Sequence, residues 1–121
     1  MRQMIAILTF STILATAATA EVLPDARRHY PRDALRQEVA GQVLLECTVG
    51  RRGRLACDVI RETPADFGFG AAALRASRSF RIAPQTRDGQ STAGGRARFC
   101  FVFAPGPPAV ISLDAARCGA H

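Results

Sequence analysis

Four cysteines and two histidines carry most of the chemistry this chain can offer. Cys47, Cys57, Cys100 and Cys118 include no Cys-x-x-Cys pair, so a thioredoxin-like redox centre has no basis. A zinc site needs closely spaced Cys/His pairs, and His29 and His121 supply none. There is no Ser–His–Asp pattern and no phosphate-binding loop, and a nucleophile without a base in reach is inert. No enzyme, no metal site and no cofactor are therefore expected. What remains for the cysteines is oxidation to structural disulfides, for which three pairings exist.

Disulfides require an oxidising compartment, and the N-terminus points to one. Arg2 precedes an uncharged stretch, Ile5 to Ala18, and Ala18-Thr19-Ala20 fits the small-x-small cleavage pattern of a secretory signal peptide. The stretch is interrupted by Thr9, Ser11, Thr12 and Thr16. It falls short of the roughly 20 apolar residues of a spanning helix. Cleavage before Glu21 is expected, giving a periplasmic protein without stable membrane insertion; an uncleaved inner-membrane anchor is the alternative. With 121 residues, a single small domain follows. All its basic residues are Arg, the net charge is +6 and the isoelectric point is near 10.4. A basic secreted protein that binds nucleic acid or an anionic envelope surface is thus a second reading. The arginines are scattered, Tyr30 is the only Tyr and Trp is absent, so nucleic acid is not the expected partner.

The elements that must position these residues can be read from periodicity. Residues 21–29 form a short polar lead-in. Tyr30-Pro31 opens a short helix over Arg32 to Val39, stopped at Gly41. Val43, Leu45, Cys47 and Val49 then alternate with Leu44, Glu46 and Thr48, the period of a strand. Gly50 to Gly53 is a turn, and Leu55, Cys57 and Val59 continue the alternation, making a β-hairpin. Thr63 or Asp66 is a candidate cap for a helix from about Gly68, whose stripe is Phe69, Ala72, Ala73, Ala76 and Phe80. A third strand runs from Arg96 to Phe103, with Phe99, Phe101 and Phe103 on one face and Arg96, Arg98, Cys100 and Val102 on the other. The region 30–104 thus reads as one α+β domain, α-β-β-α-β, a three-stranded antiparallel sheet packed against helix. Pro105, Pro107 and Pro108 break a tail, 105–121, in which Ser112 can cap a short helix to Arg117. In the hairpin, Cys47 and Cys57 lie on the same side of adjacent strands, and facing residues there come close enough to bond. A Cys47–Cys57 bridge is expected, leaving Cys100–Cys118 to hold the tail against the last strand.

The run from Tyr30 to Phe103 resembles the C-terminal domain of the TonB energy-transducer family. The resemblance rests on Tyr30-Pro31 before a short helix, Gly41-x-Val43 opening the first strand, and Gly53-Arg54-Leu55 at the hairpin turn. Phe80-Arg81-Ile82-x-Pro84 after the main helix and the closing aromatic Phe103 complete it. Cys47 and Cys57 with Thr63-Pro64 and Phe67-Gly68-Phe69-Gly70 look like a cysteine-bearing branch. The resemblance implies a module that receives the TonB box, an extended N-terminal segment of outer-membrane transporters, by strand addition. It places the ligand along the last strand, at Arg96, Ala97, Arg98, Phe99, Cys100, Phe101, Val102 and Phe103. Tyr30 and Pro31 contribute from the approach segment. The competing possibility is that the tail from Ala109 to His121 folds back and covers this edge, an arrangement that a Cys100–Cys118 bridge favours. Residues 1–20 hold no His, and the lead-in spans at most about 3.5 Å per residue. The expectation is therefore a free-standing exported binding domain; the sequence leaves a homodimer open.

Overall fold

The alternating stretch around Val43 becomes an interior strand of the sheet. A computed structural model describes residues 21–118; the expected signal segment lies outside the described residues. The elements in chain order are β1 (Glu21–Val22), α1 (Ala26–His29), α2 (Arg32–Arg36), β2 (Gly41–Val49), β3 (Leu55–Thr63), α3 (Phe69–Ser77), β4 (Arg96–Ala104) and β5 (Val110–Leu113). The architecture is α+β, and the sheet order is β1-β5-β4-β2-β3, with every pairing antiparallel.

The expected three strands form the β4-β2-β3 portion of this sheet, and two more strands were not read from the sequence. The tail forms β5 in place of the expected short helix. Its alternation puts Ile111 into the core at 0% exposure, and β5 pairs with β4 from Phe101↔Leu113 to Ala104↔Val110. The proline-rich stretch is thus a reversal between two strands, not a terminus, with Gly106 at φ +74°. The lead-in also folds: Glu21 and Val22 pair with Leu113 and Ser112, and the Leu23 N–H donates to the Ile111 carbonyl.

One face of the sheet carries the helices. Phe69, Ala72, Ala73 and Ala76 of α3 are all 1% exposed or less. Small side chains there let the helix sit close to the strands. Gly41 shows how close: a Cβ at this position would lie 2.5 Å from the Phe69 ring. Neither Thr63 nor Asp66 caps α3; Gly68 does, at φ +83° with no side-chain hydrogen bond. The first expected helix ends early as well, at Arg36 instead of Val39. Glu38 takes a left-handed conformation, and the Tyr30 hydroxyl donates to the Val39 carbonyl at 2.6 Å.

The hairpin turn is locked to the segment after α3. Ile82 N–H donates to the Gly53 carbonyl, while a Cβ on Gly53 would meet the Ile82 carbonyl oxygen at 2.2 Å. Gly53 also has φ +77°, a conformation that side chains disfavour. The Gly-Arg-hydrophobic turn and the Phe-Arg-Ile segment are therefore two halves of one contact.

Both disulfides follow from the strand geometry. Val49 N–H donates to the Gly95 carbonyl and its own carbonyl accepts from Gly94 N–H, so odd-numbered residues of β2 turn their polar groups toward β4. Cys47 consequently faces Cys57 as a non-hydrogen-bonded pair, the closer kind, with Cα atoms 4.0 Å apart. Cys100 is bonded to Cys118, Cα to Cα 5.7 Å. That bridge brings the turn after β5 onto the face opposite the helices, where Arg61 Nη2 donates to the Cys118 carbonyl at 3.0 Å. Leu44, Cys100 and Val102 are buried on this second face.

Candidate functional site

The ligand was expected along the whole last long strand if that strand is a free edge, with coverage by the tail as the competing possibility; the structure shows the tail covering half of it. From Phe101 to Ala104, β4 is covered by β5. From Arg96 to Phe99 it pairs only with β2 among the described residues. Asp114 N–H donates to the Cys100 carbonyl, which fixes the outward side of β4. Backbone groups alternate along a strand. Those of Arg96 and Arg98 must therefore face away from β2, whereas those of Ala97 and Phe99 are spent on it. The result is a vacant strand position, in line with β5, about four residues or 13 Å long.

Beside this opening lies a groove of about 540 Å³ on the helix face, with Leu23, Phe80, Ile82, Phe99 and Leu113 among its walls. Phe80 sets its floor: it meets Phe99 edge-on at 6.2 Å and stacks on Phe101 at 5.8 Å. Glu21 and Arg81 are on the rim. Arg81 is held there by hydrogen bonds from Nη1 to the Arg78 and Phe80 carbonyls. On the opposite face, Arg98 Nε lies 3.3 Å from Glu46 Oε2 in an exposed pair, a geometry that contributes little to stability.

The residues expected to bind a ligand therefore separate into groups. Arg96, Ala97, Arg98 and Phe99 flank the opening. Phe101 and Phe103 are fully buried in the core, and Cys100 and Val102 are buried on the tail side. Tyr30 is 3% exposed, its ring edge-on to Phe69 and Phe103. It cannot present its ring to a ligand, and it acts as a core residue. Pro31, at the start of α2, is half-buried. Sequence reading missed the groove walls Leu23, Phe80, Ile82 and Leu113. The Phe80-Arg81-Ile82 motif was visible, but only the fold shows that it faces Phe99.

Burial pushes the Tyr30 phenol up to about 12 from its ordinary 10. The raised value means that stability from the neutral phenol is intact below pH 10 and is lost as pH rises from 10 through 12. Because Tyr30 is the only tyrosine, ultraviolet titration reads it alone. The folded protein is expected to show a midpoint near 12 and the urea-unfolded chain one near 10; equal midpoints would contradict its burial.

The other outer strand, β3, is a poorer platform. A bulge at Ile60, where Leu44 pairs with Arg61 and Leu45 with Val59, interrupts its ladder. Asp58 and Arg61 place charges along it, and such features discourage strand addition. Among the described residues no cluster of His, Cys, Asp or Glu could hold a metal ion, and no helix is long and apolar enough to cross a membrane.

Comparison with known proteins agrees with this architecture. Residues 26–103 match the family model described as the Gram-negative bacterial TonB protein C-terminal. The chain belongs to the TonB C-terminal family. Among solved structures it is similar to the TonB2 protein from Vibrio anguillarum, at 26% identity and a TM-score of 0.50, over 64% of this chain and 73% of that one. No curated protein matches it. Membership of the TonB family implies a transport-related role in the cell envelope, with protein partners such as outer-membrane transporters in general. The family match ends at residue 103, so β5, the strand that covers half of β4, lies beyond it, as does β1.

Proposed function

We propose that this chain is a periplasmic binding module that receives an extended peptide of the TonB-box type, from the N-terminal segments of outer-membrane transporters, by strand addition to β4 at Arg96–Phe99. The observation that carries this reading is the vacant strand position, with the backbone groups of Arg96 and Arg98 turned outward beside an apolar groove. Main-chain bonds from such an edge supply affinity, and the groove selects alternate side chains. Domain limits of 30–104 would leave out β1 and β5; the folded unit we propose is 21–118, following cleavage before Glu21.

The Arg98 N–H provides the test. In Arg98→Pro the donor is lost on the open side, where proline is tolerated in a sheet. A lost hydrogen bond of about 0.5–1.5 kcal/mol and the added ring together should weaken capture of a TonB-box peptide by about tenfold or more. Arg98→Ala keeps the N–H and should change it only about two- to threefold. Isothermal titration with both variants, after a thermal melt has shown each to be folded, gives the comparison. Equal affinities for the two folded variants would remove strand addition at this position.

A further inference from the structure

The two faces of the vacant position differ in chemistry, and the difference specifies the ligand. Residues directly opposite each other on paired strands share a face. A segment added along β4 therefore places the residues opposite Ala97 and Phe99 on the helix side, over the groove formed by Phe80, Ile82 and Leu113. Its residues opposite Arg96 and Arg98 lie on the other side, directly beside two guanidinium groups. Arg96 is exposed and has no acidic partner within 4.0 Å among the described residues, while Arg98 is shared with Glu46. Of the other carboxylates nearby, Glu21 is on the groove rim, Asp114 sits at the Cys100 end, where its Oδ1 accepts from the Ala116 N–H, and Asp58 lies opposite Glu46 on the far side of β2.

Resting on the strand-addition reading above, we infer that the preferred partner is an extended segment in which apolar and acidic residues alternate, the acidic ones opposite Arg96 and Arg98. Alternation follows whether the segment runs parallel or antiparallel, because the period of two is common to both. Lysine in the acidic positions would place like charges directly opposite, which is unfavourable. Arg96 has the larger share in this selection, since Glu46 already compensates Arg98.

Fluorescence polarisation with three dye-labelled peptides tests the inference. They share flanks and differ in a central Leu-Glu-Val-Glu, Leu-Thr-Val-Thr or Leu-Lys-Val-Lys. The acidic peptide is expected to bind about 2- to 30-fold tighter than the threonine peptide at low salt, from two cross-strand charge pairs. The gap should narrow in 0.5 M salt, where the screening length is only about 4 Å. In Arg96→Glu the preference should shift toward the lysine peptide, with an unchanged thermal midpoint showing that the fold persists. Threonine and glutamate peptides that bind equally would overturn the inference and leave strand addition standing. Failure of all three peptides to bind a folded protein would overturn both.

Discussion

Phe101→Ala is expected to cost about 3–5 kcal/mol of stability, the range for emptying an aromatic site in a tight core. Phe101 is fully buried, lies opposite Val43 of β2 and Leu113 of β5, and stacks on Phe80. It joins the sheet, the segment after α3 and the tail strand at one point, so no single neighbour can move in to fill the space. A small domain has roughly 5–15 kcal/mol in total, so the loss is a large fraction of the whole. Urea denaturation checks this through a lowered midpoint at unchanged slope. A loss below 1 kcal/mol would mean that the core around Phe101 collapses freely. Binding should fall as well, because Phe80, the floor of the groove, loses its support.

Removing the second bridge is the other large effect. Cys100→Ala with Cys118→Ala opens a link of sequence separation 18, for which chain entropy alone gives about 3 kcal/mol. The tail's two anchors are separable in this experiment. The bridge holds the turn after β5 on the second face, whereas β5 itself is held by the buried Ile111 and by its ladder with β4. The double variant should therefore melt earlier yet bind peptide within about twofold of the parent. An affinity gain of tenfold or more would show instead that β5 is a removable cover and that the ligand's place extends over Phe101–Ala104.

The contrast between β4 and β5 shows what could be read in advance. Long periodic runs were legible: Val43 to Val49, Leu55 to Val59, the Phe69–Ala76 stripe and the three phenylalanines of β4 all went to the side their period demands. The disulfide geometry followed from the same alternation. β5 was not legible because four residues behind a proline-rich turn carry too short a period to separate strand from helix. Its existence depends on Phe101 and Phe103 offering a place for Ile111, a tertiary cause. The burial of Tyr30 was not legible for a related reason. Its position beside Pro31 is visible in the sequence, but only the approach of Phe69 and Phe103 decides that its ring is interior. The half-open edge required both pieces of information at once, since β5 sets where it ends and Phe80 sets what lies beneath it.

The central claim is that β4 accepts a strand at Arg96–Phe99. Amide chemical shifts of isotope-labelled protein, followed during titration with an extended TonB-box peptide, test it residue by residue. The amides of Arg96 and Arg98 should shift strongly and gain protection from exchange, while those of Ala97 and Phe99, already bonded to β2, should change little. That two-residue alternation is the signature of an added strand. Changes centred on Leu55, Cys57 and Val59, whose backbone groups face outward from β3, or no alternation along β4 at saturating peptide, would contradict it.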